Sequence, residues 1–108
     1  MVIGARDPQA AAAVVSELDG VRSYAGSLDI ADPESVYRAA TLWAEDIGPL
    51  DILINNAAAY VDWSEMASTT DLDAAERVMQ VNLFGSWRMI QAFAAAEPKC
   101  TSADRQRN

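Results

Sequence analysis

The chain has 108 residues, an apolar fraction of 51% and a formal net charge of −8; that composition fits one globular domain and excludes wholesale disorder. With no His and a single Cys, Cys100, it lacks the parts for a Ser-His-Asp or Cys-His nucleophile, the usual zinc ligand sets and an intramolecular disulfide. No metal site is expected. The acidic side chains crowd into residues 1–97, a body that repels phosphate backbones, so no nucleic-acid partner is expected. No apolar run approaches the roughly 20 residues that cross a bilayer, and no signal-peptide pattern is present. The expectation is a cytoplasmic chain without a membrane partner.

Val2-Ile3 is a short apolar run followed by Gly4-Ala5-Arg6. Asp7-Pro8 then reads as a helix start, because Asp caps the first N–H groups and Pro at the first helical position forfeits no bond. Ala11, Val14, Val15 and Leu18 recur at helical spacing and Gly20 supplies a left-handed stop, which predicts a helix over 8–19. Val21, Tyr24 and Leu28 predict a strand over about 21–28, weakened by Gly26. Asp32-Pro33 repeats the helix start. Val36, Ala40, Trp43 and Ile47 share one face of that helix, with Trp43 read as core, and Gly48-Pro49 ends it.

Asp51-Ile52-Leu53-Ile54-Asn55 has a continuous apolar centre and reads as a strand covered on both faces. Residues 56–71 show no period and predict a loop, in which Trp63 is a packed anchor or a pocket wall. A long helix is predicted over about 73–96, led by Asp71 and Asp73 as N-terminal charges. Gly85 in its middle implies a close contact or a bend. Residues 1–96 thus form one domain, and 97–108 a disordered tail in which Cys100 is a free thiol. The order strand-helix-strand-helix-strand-helix predicts an α/β fold with a parallel sheet of three strands and three helices.

Leu28-Asp29-Ile30, Leu53-Ile54-Asn55-Asn56-Ala57-Ala58 and Val81-Asn82-Leu83-Phe84-Gly85 together resemble the short-chain dehydrogenase/reductase family of NAD(P)-dependent oxidoreductases. The match covers about residues 1–96 and corresponds to the family's second strand through its fifth helix. It implies a partial Rossmann-like, doubly wound sheet without the first strand or the C-terminal half. It also implies that Asp29 hydrogen-bonds the adenine ring, and that Asn55, Asn56 and Ala57 form the turn backing the cofactor ribose. Ala58 stands where the family usually has Gly. Asn82 matches the catalytic helix Asn that helps hold a water in the proton relay.

In enzymes of this fold that prefer NAD, an acidic group ends the second strand and accepts from the ribose hydroxyls. Here Ala5 holds that position and Arg6 follows. A guanidinium suits a 2′-phosphate, so the resemblance implies NADP(H), the plainer alternative being an Arg6 that only faces solvent. The substrate implied is a small-molecule carbonyl or alcohol. A Thr-Gly-x-x-x-Gly-x-Gly loop and a Tyr-x-x-x-Lys pair are not in this sequence, nor is the family's Ser where it would follow Ala96. The expectation is a truncated chain, inactive alone. The competing expectations are an interaction module, self-associating through the 73–96 helix, and half of a split enzyme completed by another chain. Without a central strand, the segment around Ile52-Leu53-Ile54 is expected either to shift beside the first strand or to expose its edges.

Overall fold

A computed structural model describes residues 1–60 and 66–95. Its elements are β1 (Val2–Ile3), α1 (Pro8–Val15), β2 (Arg22–Ser23), α2 (Pro33–Asp46), α3 (Leu72–Met79), a π-helical segment (Gln80–Gly85) and α4 (Ser86–Ala95). The chain leaves β1, crosses through α1 and returns in β2, parallel to β1, with Val2 opposite Arg22 and Ile3 opposite Ser23. Backbone bonds from Tyr24 N–H to Ile3 O (2.8 Å) and from Leu28 N–H to Ala5 O (2.9 Å) carry the pairing beyond both strands.

The helix starts follow the cap chemistry. Asp7 Oδ1 accepts from the N–H groups of Gln9 and Ala10, and Asp32 Oδ1 from Glu34, each with Pro at the start of the helix. Asp71 caps α3 by accepting from Asp73 N–H, and Asp73 lies in the first turn. Each such cap stabilises its helix by about 1 kcal/mol.

The core lies between α2 and α4. Val36, Ala40, Met89 and Phe93 are buried there, and Leu28, Ile30, Trp43, Leu50, Leu53 and Ala92 pack around them. Trp43 meets Phe93 edge to face, with ring centroids 6.0 Å apart and planes at 71°. That geometry places a positive ring edge against a negative ring face. Trp43 is core, as the helical spacing implied.

Several expectations are corrected. The first helix ends at Val15, not at residue 19: Glu17 and Leu18 turn back in tight bonds to Val14 and Val15, and Gly20, at φ +70°, lies beyond them. Val14 and Leu18 are accordingly exposed, and Ala11 is the buried residue of that face. The second strand shrinks to Arg22–Ser23. Helix α2 stops at Asp46, so Ile47 caps it in an exposed position instead of packing. The single helix expected over 73–96 is three segments, because the ladder switches to π spacing between Gln80 and Gly85.

No third strand is formed among the described residues. Among the described residues the sheet has two strands, and residues 51–55 carry no ladder. Leu53 packs on the core, whereas Ile52 and Ile54 are 74% and 73% exposed. One face of this segment is therefore covered, not both. A strand exists only where a neighbour accepts and donates along its edge, and among the described residues no such neighbour lies beside this one. Trp63, Cys100 and the tail fall outside the described residues.

Candidate functional site

The site residues are assembled by backbone anchoring at the ends of the two strands. Beyond β1, Ala5 O accepts from Leu28 N–H and Arg6 O accepts from Ser27 Oγ at 2.7 Å. The Arg6 main chain is thereby fastened to the 27–28 segment while Arg6 itself remains exposed. Buried Ser35, in the first turn of α2, donates from Oγ to Ser27 O (3.1 Å) and accepts there from Asp29 N–H (2.9 Å). Half-buried Asp29 turns its Oδ1 onto Ala31 N–H at 3.0 Å, closing a local turn. Arg6 and Asp29 thus stand on one wall, both held by main-chain bonds to residues 27–31.

A second wall comes from the π-helical segment. The Asn82 side chain accepts from Ala59 N–H at 2.7 Å and donates to Ala59 O at 3.1 Å. An amide matched to both groups of one residue imitates a strand partner and fixes the loop after Asn55-Asn56-Ala57-Ala58. Those four residues are exposed and lead directly into the clamp. Gly85 closes the segment against the first wall: a Cβ there would lie 2.7 Å from Ile30 Cγ1 and 3.1 Å from Ile30 O. Only glycine admits that approach.

Arg88 joins the two walls. Its Nη1 donates to Ile30 O (3.2 Å) and Gln80 O (3.3 Å), and its Nη2 to Gln80 Oε1 (2.7 Å). Sequence reasoning missed Arg88, Gln80, Ser27 and Ser35. Arg88 lies eight residues beyond Gln80, farther than the three- or four-residue spacing that brings side chains together on a regular helix. Its reach to Ile30, 58 positions away, has no local signal.

The N-termini of α1, α2 and α3 each have an Asp carboxylate seated on their N–H groups. A carboxylate there takes the donors that a phosphate would need and repels it. Among the described residues no group of His, Cys, Asp or Glu side chains could hold a metal ion, and no helix is long and apolar enough to cross a membrane.

A βαβ start with α1 packed on the parallel pair, α2 packed on α4, and a polar rim beyond the strand ends define an α/β protein of Rossmann-like architecture. The family model of short chain dehydrogenases matches residues 1–100, and the chain belongs to that family. It is 34% identical over 80 residues to an uncharacterized NAD-dependent oxidoreductase of Mycobacterium tuberculosis, covering 74% of this chain and 28% of the relative. It is 31% identical over 87 residues to the L-rhamnose 1-dehydrogenase (NAD(P)(+)) of a Sphingomonas species, covering 74% and 32%. Among solved structures it resembles a gluconate 5-dehydrogenase from Burkholderia cenocepacia in complex with NADP and tartrate. That likeness has a TM-score of 0.74 and 26% identity over 87% of this chain and 37% of the other. The chain therefore spans about a third of the length of the relatives it matches.

Proposed function

We propose that these residues form the adenosine-side wall and the Asn82 corner of an NADP(H)-dependent oxidoreductase that interconverts a small carbonyl compound and its alcohol. The Asn82–Ala59 clamp carries this reading. It sets the helix Asn against the loop that follows Asn55-Asn56-Ala57, two of the three elements on which the family resemblance rests. Arg6, exposed at the end of β1, supplies a planar cation for a 2′-phosphate. Asp29 accepts from the adenine amino group, and Asn55, Asn56, Ala57 and Ala58 back the ribose. With its side chain committed to Ala59, Asn82 offers the main chain of a widened π turn to a water of the proton relay. When bound, the nicotinamide gives or takes the hydride.

A diphosphate cradle and a Tyr-x-x-x-Lys acid are not among these 108 residues, and the three Asp-capped helix ends do not replace the cradle. The 108-residue chain is thus expected to recognise the adenosine 2′-phosphate end weakly and not to turn over alone. Titration with adenosine 2′-monophosphate and adenosine, followed by amide chemical shifts, tests the binding. Preference for the phosphorylated ligand, centred on Arg6 and Asp29, is the expected result; equal or no response removes the NADP(H) assignment. Incubation with NADPH and a panel of ketones and aldehydes tests activity, and turnover at enzyme-like rates would refute the expectation of inactivity.

A second reading, association with itself or with another chain of the family, draws on exposed apolar surface. Leu83, Trp87 and Ile90 recur at helical spacing across the π segment and α4, with Trp87 and Ile90 56% and 54% exposed. A contiguous stripe of this kind marks a contact surface more often than scattered single residues do. Light scattering after size exclusion tests it, and a strictly monomeric folded species counts against it.

A further inference from the structure

We propose that Arg88 is a positioning residue that couples the adenosine-side wall to Asn82. It gains its functional meaning from the reading above, but its structural content stands on the three bonds alone. One guanidinium spans Ile30 O, which directly follows Asp29, and both the main chain and the side chain of Gln80. Gln80 opens the π-helical segment in which Asn82 lies. Arg88 is half-buried, so these bonds are partly shielded from competing water and are stronger than surface contacts.

The packing beneath gives the link its stiffness. Gly85 sits against Ile30 with no room for a side chain, and Ser35 holds the 27–29 segment from the other side. A displacement of residues 29–31, such as a nucleotide would cause on binding Asp29, is passed through Ile30 O and Arg88 to Gln80. From there it reaches the turn that presents Asn82 to Ala59. An ammonium cannot hold three acceptors in this planar arrangement, so Arg88→Lys does not substitute.

The test uses the full 108-residue chain labelled with nitrogen-15. Exchange of the Ala59 N–H and the shifts of the Asn82 side-chain NH2 pair report the clamp, with the Ala40 N–H in α2 as reference. Arg88→Met is expected to speed Ala59 exchange by about tenfold relative to Ala40, the scale of one lost hydrogen bond. It should also move the Asn82 pair toward solvent-exposed values. Gln80→Glu retains both signals, because a carboxylate keeps the acceptor for Arg88. Ala11→Gly in α1 lowers stability far from the link and should raise Ala59 and Ala40 exchange together. Equal acceleration of Ala59 and Ala40 in Arg88→Met, an unaltered clamp, or an unprotected Ala59 in the parent chain would each overturn the proposal. Adenosine 2′-monophosphate should shift Asp29, Ile30 and Asn82 in the parent chain but only Asp29 and Ile30 in Arg88→Met. Equal Asn82 shifts in both overturn the coupling. If the nucleotide binds neither protein, the functional reading fails and the exchange data still decide whether Arg88 positions Asn82.

Discussion

The side chain of Asn82 and the main chain of Ala59 exchange two hydrogen bonds across 23 residues of sequence. Neither residue is buried, so the pair competes with water and its net contribution is about 1 kcal/mol. Asn82→Ala is expected to lower the unfolding free energy by about that amount and to release the loop after Ala58. Asn82→Asp should be worse for the loop, since the carboxylate loses the donor and faces the Ala59 carbonyl oxygen. Urea unfolding followed by tryptophan fluorescence measures the first effect, and amide exchange at Ala59 the second. Equal loop protection in both variants would contradict the bidentate arrangement.

Gly85 offers a test of contact against propensity. In a regular helix Gly→Ala gains roughly 1 kcal/mol. Here the new methyl would press on Ile30 Cγ1, Cδ1 and carbonyl oxygen, and overpacking of this kind costs about 1–3 kcal/mol. Gly85→Ala is therefore expected to destabilise, and to cost less when it is introduced into an Ile30→Ala chain, where the contact is already relieved. A stabilised single variant would show that the two segments do not touch.

Ser35 is buried and uses its hydroxyl twice, toward Ser27 O and from Asp29 N–H. Ser35→Ala strands both partners in a partly buried place, and each orphaned group costs about 1–3 kcal/mol before relaxation. The expected outcome is a loss of about 2 kcal/mol in urea unfolding. Amide shifts should change at Ser27 through Asp29. Ser35→Thr keeps the hydroxyl and should recover most of the Asp29 signal.

What could be read from the sequence was what short range decides. Asp-Pro pairs located the starts of α1 and α2, and Asp71 with Asp73 the start of α3, because a cap needs only residues two or three positions away. The spacing of Val36, Ala40 and Trp43 found the core face of α2 for the same reason. The segment Asp51–Asn55 misled because its apolar run records a preference for burial, whereas a strand also needs a partner edge, a non-local condition. The π segment was invisible since its residues suit an ordinary helix. Its displacement goes with contacts to Ala59 and Ile30 that no window contains. Of the candidate site, Asp29 and Asn82 stood out through the family resemblance, while the fixtures that hold them, Ser35 and Arg88, did not.

Trp43 contains the other informative conflict. Its ring packs on Phe93, yet its indole Nε1–H is buried without a hydrogen-bond partner among the described residues. A donor left unpaired in the core costs about 1–3 kcal/mol, similar to what the extra apolar area of Trp over Phe supplies. Trp43→Phe is accordingly expected to be nearly neutral, within about 1 kcal/mol. Trp43→Ala, which removes the ring and opens a cavity, should cost about 3–5 kcal/mol. Urea midpoints of the two variants, read by circular dichroism, make the comparison. A Phe variant as damaging as the Ala variant would mean that the indole N–H is satisfied after all.

The exposed isoleucines separate burial from patterning most directly. Ile52 and Ile54 point away from the core that Leu53 joins, so substituting them should leave stability within about 0.5 kcal/mol. Leu53→Ala removes packing and should cost about 2 kcal/mol or more. A bare apolar segment that joins no sheet among the described residues also invites edge-to-edge association. The double variant Ile52→Lys, Ile54→Thr is thus expected to unfold at the parent urea concentration while remaining soluble at concentrations where the parent chain aggregates. Light scattering at increasing protein concentration follows the second property. If the double variant instead unfolds as readily as Leu53→Ala, both isoleucines are buried in solution and residues 51–55 do find a partner strand.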